Sequence, residues 1–476
     1  MSIKKAAIIN AASKYIKIIL QLIFTAILSR ILTPEDYGIV AVITVFTTFF
    51  STFSDMGFGT AVIQNKDLSD NDVNNIYSFT VYISFGLAVI FFVFSFGISA
   101  FYNNQVYTAL GMLLSLSVLF NALNMVPNAI LMRDKKFISV AIRTVVVCIV
   151  ANVVTVGFAC AGMRYYALAV QSILIAFATY LWNYFTTRPK FRIRFDNNSV
   201  KKVLSFSMFQ FGFNLINYFS RNLDNLLTGK FLGDAELGYY NKAYTLMLYP
   251  VNNLSGVISP VLHPILSDYQ KQIDVLYKKF IKVISLLALL GIFVAPYCWL
   301  ASEELITIMF GPQWGPSVQC FKFLSIAICT QMMNPCAGAA FQSLGKTKLL
   351  FINSIINTFI TVVAILIGLL GFGSIETLAL CVSIAYLFHF FTAYGMLIIF
   401  GFRRSFGSFL LEFRMEFLIL IVLVIATMVY PFSFTNMFIS AIVKLGYLGL
   451  IYLFFLVITQ KINIYKSLFF NHKKNN

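Results

Sequence analysis

The chain has 476 residues, of which 59% are hydrophobic, 16% are aromatic and only 11% are charged. A soluble protein carries charge on about a quarter of its residues, so this composition excludes a soluble globular protein. The net charge of +17 would suggest a nucleic-acid partner in a soluble protein. Here the basic residues flank apolar stretches, where membrane topology and anionic headgroups account for them, and nucleic-acid binding is excluded too.

Fourteen apolar stretches are long enough to cross a bilayer, since a helical span needs about 20 apolar residues. In chain order they cover residues 8–31, 38–62, 76–101, 106–131, 138–161, 165–187, 203–229, 237–262, 280–301, 318–341, 348–371, 375–400, 414–431 and 437–459. The longest outer gap, 303–316, is too short for a catalytic domain, and Trp314 is its expected interfacial anchor. The sequence predicts an all-α integral membrane protein with 14 transmembrane helices.

The 35 Lys and Arg residues alternate between the two sides of these spans. Twenty-eight fall in the N-terminal segment or at every second gap, and seven fall elsewhere. Because Lys and Arg concentrate on the cytoplasmic side of membranes, we expect both termini in the cytoplasm. A missed span would invert the alternation partway along the chain, and no inversion occurs.

An internal repeat relates two halves of the chain. Residues 30–38 (RILTPEDYG) and 230–238 (KFLGDAELG) share a basic residue, a Leu, an acid and a Gly at the same positions. Short basic turns also follow the fourth and the tenth span, at 133–137 and 345–349. Two such matches predict pseudo-symmetric six-helix lobes, the arrangement typical of a transporter with alternating access. The predicted domains are an N-terminal lobe, a C-terminal lobe and a pair of extra helices with a cytoplasmic tail, at residues 1–195, 196–402 and 403–476.

Charged side chains inside the spans are the main site candidates, because a charge in lipid is costly and faces an interior, a cavity or a partner. Lys14 and Lys17 share one face of the first span, where they either line a cationic cavity or extend to the headgroups. Arg221 and Asp224 in the seventh span either form a packing ion pair or place a cavity cation beside a gating acid. Lys242 in the eighth span has the same two interpretations as Lys14.

Other polar residues complete the candidate site. Asp55, near the end of the second span, is a second candidate for gating or ion coupling. The candidate sugar contacts are Asn124, Asn214, Asn217, Tyr240 and Asn252. Pro127 and Pro335, each beside Asn residues, predict interrupted fourth and tenth spans. Since Lys and Arg neutralise phosphate while amides and phenols bind hydroxyls, this set suits an anionic, sugar-bearing ligand. No metal-ligand spacing or catalytic motif is present, so no metal site and no catalytic residue is expected.

Five motifs in chain order resemble bacterial polysaccharide flippases of the Wzx type. They are residues 29–38, residues 55–64, residues 221–233 with 237–243, the pair His263 and Pro264, and residues 310–314. These flippases serve O-antigen, exopolysaccharide or teichuronic-type polymers. They form the polysaccharide transporter family of the MOP superfamily, with MATE exporters and lipid II flippases. The resemblance implies a pair of lobes around a cationic cavity, and Arg221 and Asp224 match its pattern best. Lys14 and Lys17 match only in kind.

The resemblance also implies a function. The expected substrate is an undecaprenyl-pyrophosphate-linked oligosaccharide, moved from the cytoplasmic to the outer leaflet of the bacterial inner membrane. Membrane lipids, a polysaccharide polymerase and chain-length proteins are the expected partners. No cofactor is expected. Transport is expected to be coupled to an H⁺ or Na⁺ gradient. The coupling acid of MATE exporters has no secure counterpart here, which leaves the ion open.

Two other functions compete with this one. A MATE-like exporter of drugs or other small molecules predicts acidic residues in the cavity, whereas this interior is richer in Lys and Arg. A lipid-linked polysaccharide polymerase or ligase predicts a long outer loop with catalytic residues, which the short gaps do not provide. The sequence therefore favours a transporter over an enzyme.

Overall fold

The computed structural model describes residues 3–55, 59, 62–63, 65, 67–196, 218, 221–255, 262, 266, 269–270 and 272–461. All elements in this part of the chain are helices. Nine helical stretches within it are long and apolar enough to cross a membrane. The expected all-α membrane architecture is confirmed, while the count of 14 spans stays a prediction.

The chain divides into two compact units, Met1–Gly238 and Tyr239–Asn476. The first unit contains α1 (Ile3–Ile31), α2 (Pro34–Asp55), α3 (Asp70–Tyr102), α4 (Val106–Leu123), α5 (Met125–Arg133), α6 (Phe137–Cys160) and α7 (Tyr165–Thr187). Residues 221–231 are helical as well. Within this unit α1 packs along α6, and α3 packs along α4.

The next helix, α8 (Asp234–Pro250), begins in the first unit and continues into the second. The second unit further contains α9 (Ile273–Leu300), α10 (Ser302–Phe310), α11 (Gly315–Ser325), α12 (Ile328–Ser343), α13 (Thr347–Leu366), α14 (Ile375–Met396), α15 (Phe406–Glu412), α16 (Arg414–Met428) and α17 (Met437–Ile458). Three of its helices end in a π-helical turn: α8 in Val251–Ser255, α13 in Ile367–Gly371 and α14 in Leu397–Gly401.

Capping residues explain where the early helices begin. The Thr33 backbone N–H and hydroxyl both donate to Asp36 Oδ2, at 3.0 and 2.8 Å, and the Asp36 N–H donates back to Thr33 Oγ1. Ser69 and Asp72 form the same reciprocal capping box at the start of α3. Each box satisfies backbone donors that a helix leaves free at its first turn. The acidic residues of the 30–38 motif therefore start a helix.

The internal repeat appears in the backbone of the turns after α5 and α12. Lys135 and Gly345 both adopt the left-handed conformation, with φ of 55° and 68°. The next N–H in each turn donates back to a helix carbonyl, from Lys136 to Leu131 O and from Lys346 to Phe341 O, at 2.9 and 2.8 Å. Such a turn satisfies the carbonyls at a helix end. The two turns are thus equivalent, with Lys135 in register with Gly345.

The two copies of the first motif contact each other inside the first unit. A Cβ added to Gly38 would lie 1.6 Å from the Asp234 carbonyl oxygen, and one added to Gly238 would lie 2.0 Å from that of Pro34. Pro34 and Asp234 are the first residues of α2 and α8, as Gly38 and Gly238 are their fifth. The contact is reciprocal, as expected where two equivalent elements meet about a two-fold axis.

Arg164, in the gap between α6 and α7, adds an ion pair near this crossing. Its Nε lies 3.0 Å from Asp36 Oδ1 and its Nη2 3.0 Å from Glu35 Oε2. The Asp36 carboxylate, with Glu35 beside it, holds the pKa of the Arg164 guanidinium above its ordinary value. The α6–α7 gap is therefore tied to the start of α2.

The structure differs from the sequence predictions between residues 302 and 343. The 303–316 gap contains α10, whose first-turn Glu303 and Glu304 complement the positive end of a helix. Trp314 is fully buried instead of lying at the interface, because its ring packs against Tyr239 and Phe310. The fourth span is interrupted at Asn124, as predicted. The tenth is interrupted between Ser325 and Ile328, while Pro335 stays inside α12.

Two ion pairs stabilise the contacts of the last two helices, α16 and α17, within the second unit. Glu304 at the start of α10 pairs with Lys444 of α17 and accepts a hydrogen bond from Ser440 Oγ at 2.6 Å. Glu416 of α16 pairs with Lys461 at 2.6 Å and accepts a hydrogen bond from Ser285 of α9. Both carboxylates are buried. Each helix of the final pair therefore has a buried, neutralised charge at its contact with the rest of the unit.

Candidate anion-binding cavity

A polar cavity of about 350 Å³ lies inside the first unit. Its walls come from α1, α6 and α7, with one residue from the start of α2. The lining residues are Lys17, Gln21, Thr25, Leu28, Tyr37, Arg143, Thr144, Val147, Cys148, Asn152, Leu168, Gln171, Ile175 and Thr179. Polar side chains from three helices thus converge on one space, in a chain that is otherwise strongly apolar.

The α1 wall is a stripe with helical spacing. Lys17, Gln21 and Thr25 follow one another at intervals of four residues, so they lie on one face of α1. Lys17 is exposed toward this space. Lys14 is also exposed on α1 but does not line the cavity. The structure therefore separates two lysines that the sequence grouped together.

Arg143 of α6 supplies the second cation of the cavity. Its side chain is buried, and Nη1 donates to Asn183 Oδ1 at 2.7 Å and to Asn128 Oδ1 at 3.2 Å. Asn183 in turn donates from Nδ2 to Asn124 Oδ1 at 2.7 Å. Amides therefore orient Arg143, and no carboxylate pairs with it among the residues that the structure describes.

The α6 and α7 walls carry amides that are already bonded to each other. Gln171 Nε2 donates to Asn152 Oδ1 at 2.7 Å, and Asn152 Nδ2 donates to the Cys148 carbonyl oxygen at 2.7 Å. These bonds fix the side chains in place. The remaining donors and acceptors of amides and of the threonines can bind hydroxyl groups.

The charge of the lining defines the ligand class. Lys17 and Arg143 are its two charged residues, and none of its members is acidic. A buried cation without a counterion is unfavourable in a low dielectric, and an anion that enters the cavity relieves that cost. The geometry therefore suits an anionic group with hydroxyls attached to it.

The other candidates in the first unit lie apart from the cavity lining. Arg221 is exposed, and Asp224 is buried, with its Oδ1 accepting from the Asn225 N–H at 2.8 Å. Asp55 is the last residue of α2, but its side chain lies outside the described part. The motif residues His263 and Pro264 and the sugar candidates Asn214 and Asn217 also lie outside the described residues.

The candidates in the second unit have separate surroundings. Lys242 is buried, with its Nζ 5.0 Å from the Phe310 ring centre and 5.5 Å from that of Trp314. Such cation–π contacts stabilise a lysine in an apolar setting. Tyr240 is fully buried and stacks on Tyr244, while Asn252 is exposed in the π-helical turn after α8.

Arg143 is the residue that the sequence reasoning missed. By the alternation of charge along the chain, it belongs with the 28 basic residues of the N-terminal segment and every second gap. Yet it lies six residues inside α6, about 9 Å along the helix axis. That depth, together with the Asn residues at 124 and 128, is the signal that distinguishes it from a topology residue.

Residues 27–319 match the protein family described as "Polysaccharide biosynthesis protein". The match covers more than half of the chain. The chain belongs to this family.

Two proteins similar to this chain are named for the biosynthesis of polysaccharides. The teichuronic acid biosynthesis protein TuaB of Bacillus subtilis is 25% identical over 70% of this chain and 69% of its own length. The lipopolysaccharide biosynthesis protein WzxC of Escherichia coli is 25% identical over 75% and 73%. The predicted Wzx-type relationship is confirmed.

Solved structures of the MOP superfamily share the fold. The lipid II flippase MurJ in an inward closed conformation superposes with a TM-score of 0.76 over 96% of this chain and 100% of its own, at 15% identity. An inward-facing MATE multidrug transporter superposes with a TM-score of 0.65 over 81% and 95%, at 14% identity. This polysaccharide biosynthesis protein thus has the same fold as these membrane proteins of the MOP superfamily.

Proposed function

We propose that this protein is a flippase for undecaprenyl-pyrophosphate-linked oligosaccharides in surface polysaccharide biosynthesis. The observation that carries the proposal is the cavity of the first unit, which contains Lys17 and Arg143 and no acidic side chain. A pyrophosphate attached to a sugar supplies the anion and the hydroxyls that this lining suits. The names of the relatives point to the same class of cargo.

The proposed mechanism divides the substrate between cavity and lipid. Lys17 and Arg143 bind the pyrophosphate, the cavity amides bind the sugar, and the polyprenyl tail stays in the bilayer. Arg221, at the exposed surface of its helix, is proposed as a later contact of the pyrophosphate. Alternating access then exposes the head group first to the cytoplasm and afterwards to the outer leaflet. Asp224 and Asp55 are proposed as gating or ion-coupling residues.

The cellular setting follows from the same proposal. The protein acts in the bacterial inner membrane with both termini in the cytoplasm, because basic residues mark every second gap. An H⁺ or Na⁺ gradient supplies the driving force. A polysaccharide polymerase and chain-length proteins use the translocated product.

The fold similarity to a MATE transporter makes a small-molecule exporter the competing function. Binding of a cationic drug needs anionic groups in the cavity. Since the described cavity lining has two cations and no acid, the flippase is favoured.

A translocation assay tests the proposal directly. The purified full-length protein is placed in liposomes with a fluorescent polyprenyl-pyrophosphate oligosaccharide, and a membrane-impermeant reductant reports which leaflet holds the label. Wild type should translocate the lipid. Lys17→Ala, Arg143→Ala and Arg221→Ala should each slow it about tenfold or more, because a hydrogen bond to a charged group contributes roughly 1.5–3 kcal/mol.

Arg194→Ala is the matched control, since Arg194 is an exposed cation outside the cavity, and it should keep the wild-type rate. Transport of a cationic drug without translocation of the labelled lipid would show that the protein is a small-molecule exporter and not a flippase.

A further inference from the structure

The second unit contains a histidine inside its helices that the cavity of the first unit does not involve. His389 lies in α14, fourteen residues after its start. Its Nε2 is 2.9 Å from the Asn357 carbonyl oxygen and 3.1 Å from Thr361 Oγ1, both on α13. Ionisable side chains within membrane helices are costly and mark ion or proton pathways. Imidazole is also the side chain whose charge ordinarily changes between pH 5 and 8.

The hydrogen bonds determine which ring nitrogen can take up a proton. A carbonyl oxygen only accepts, so the contact with Asn357 O requires a proton on Nε2 of His389. The Thr361 hydroxyl donates to the same carbonyl at 2.9 Å, which leaves its lone pairs toward Nε2. In the neutral ring Nδ1 therefore has the lone pair. Addition of one proton there forms one N–H bond and changes the charge of the ring from 0 to +1.

The surroundings of the ring are polar and connected. The Asn357 side chain accepts from Thr392 Oγ1 at 2.7 Å. One turn earlier on α13, the buried Asn353 has an Oδ1 with no hydrogen-bond partner among the described residues. A buried acceptor without a donor is unusual in a folded protein.

The network links three helices. The Tyr386 ring of α14 lies edge-on to His389, with ring centres 5.5 Å apart, and its hydroxyl is 2.6 Å from that of Tyr244 on α8. Thus the tyrosine pair joins α8 to α14, and the imidazole joins α14 to α13. These same three helices end in the π-helical turns found in the described part of the chain. Since π-turns occur frequently at functional sites, the network connects three helices that have this feature.

His389 is the one imidazole among α8, α11, α12, α13 and α14. Among the described residues, the helices packed most closely against α14, namely α11, α12 and α13, have no Asp or Glu. Their ionisable groups, and those of α14 and of the neighbouring part of α8, are Cys320, Lys322, Cys329, Cys336, Lys348, Glu376, Cys381, Tyr386, Tyr394, Lys242 and Tyr244. Lys322 lies over the Trp299 ring and Lys242 over Phe310 and Trp314. Glu376 is about 20 Å along α14 from His389.

We infer that His389 is a proton-binding site through which a pH gradient acts on α8, α13 and α14. Protonation places a positive charge among Asn357, Thr361 and Thr392. A new charge inside membrane helices shifts the balance between conformations that solvate it differently. The inference rests on the proposed transport function, because it supplies the driving ion of that transport.

Charge movement in proteoliposomes tests this inference without any lipid-linked sugar. The purified full-length protein is adsorbed on a solid-supported membrane and given a jump from pH 8 to pH 5.5. We expect a transient current from wild type and at least a tenfold smaller one from His389→Gln, whose amide can still donate to Asn357 O but cannot take up a proton. His472→Gln, a histidine outside the described residues, is the matched control and should keep the current.

Two further measurements keep the test decisive. If His389→Gln does not fold, histidine-selective ¹⁵N NMR of wild type replaces it, and the His389 resonance should titrate between pH 5 and 8. An unchanged current in a folded His389→Gln protein, a His389 resonance that does not titrate, or a current that follows a Na⁺ jump at constant pH would each overturn the inference. A normal proton current in a protein that fails to translocate the labelled lipid would instead overturn the proposed cargo and leave the proton site in place.

Discussion

At the scale of single residues, the buried charges with a structural role differ from the buried charge of the cavity in their partners. Three buried carboxylates each have a cation beside them: Asp36 has Arg164, Glu304 has Lys444 and Glu416 has Lys461. Arg143 is a buried cation whose described partners are neutral amides. Amide oxygens satisfy its N–H groups without neutralising its charge. The positive charge therefore stays available to an anion that enters the cavity.

Asn183→Asp tests this interpretation with almost no change in shape, and it loses the hydrogen bond that Asn183 Nδ2 donates to Asn124 Oδ1, as Asn183→Ala also does. The new carboxylate would keep the 2.7 Å contact with Arg143 and give it a permanent counterion. If Arg143 binds the anionic head group, translocation should fall at least tenfold, because the substrate must now compete with a buried ion pair. The rate of lipid translocation in proteoliposomes measures the effect.

Asn183→Ala provides the comparison. It removes the acceptor but leaves Arg143 without a counterion, so transport should fall less than in Asn183→Asp. If Arg143 only packs α6 against α7, the order should reverse. The aspartate variant would then have nearly normal transport, and the alanine variant would be the weaker one.

At the scale of elements, the crossing of α2 and α8 shows what the internal repeat builds. The first turns of two equivalent helices meet through Gly38 and Gly238, each against the backbone of the other. The space is too small for any side chain. Glycine at this position of the repeat therefore allows two backbones to approach closely. It is not needed for a positive φ, because neither residue adopts one.

Gly238→Ala should destabilise the protein because the methyl group would overlap the Pro34 carbonyl oxygen. Overpacking of this kind costs about 1–3 kcal/mol, and a clash with backbone lies at the upper end. Gly38→Ala should behave alike, as the reciprocal contact requires. The melting temperature of the detergent-purified protein measures both.

Gly157→Ala is the control, since nothing lies within 4 Å of its added Cβ in α6. There alanine should stabilise the helix by about 0.8–1 kcal/mol, so the sign of the effect differs between the two sites. Equal melting temperatures for Gly38→Ala, Gly238→Ala and wild type would show that α2 and α8 do not cross at this point.

At the scale of the whole molecule, the sequence predicts those features that the pattern of apolar residues determines. Length and hydropathy predict the helices, and the motifs at 30–38 and 230–238 predict the family and the duplication. Contacts between distant residues are what the sequence conceals. The approach of Asn183 to Arg143, or of His389 to Asn357, depends on helix rotation within the bundle, which no local pattern determines. Trp314 was expected at the interface because hydropathy cannot distinguish a belt residue from one that covers a buried lysine.

Membrane orientation is the last property of the whole molecule that the charge pattern predicts, and the native cysteines provide a probe for it. Cys160 is exposed at the end of α6, beside the gap that is expected on the outer side, while the other six cysteines are buried or half-buried. A membrane-impermeant maleimide should therefore label wild type in intact spheroplasts, and Cys160→Ser should remove that labelling. In the Cys160→Ser background, Lys190→Cys should react only after permeabilisation, because residue 190 lies in a predicted cytoplasmic gap and is exposed. Labelling of Lys190→Cys in intact spheroplasts, together with no labelling of Cys160 in wild type, would show that the predicted orientation is inverted. Labelling of both positions from outside would show that the number of spans between them is even, which contradicts the alternation of charge along the chain.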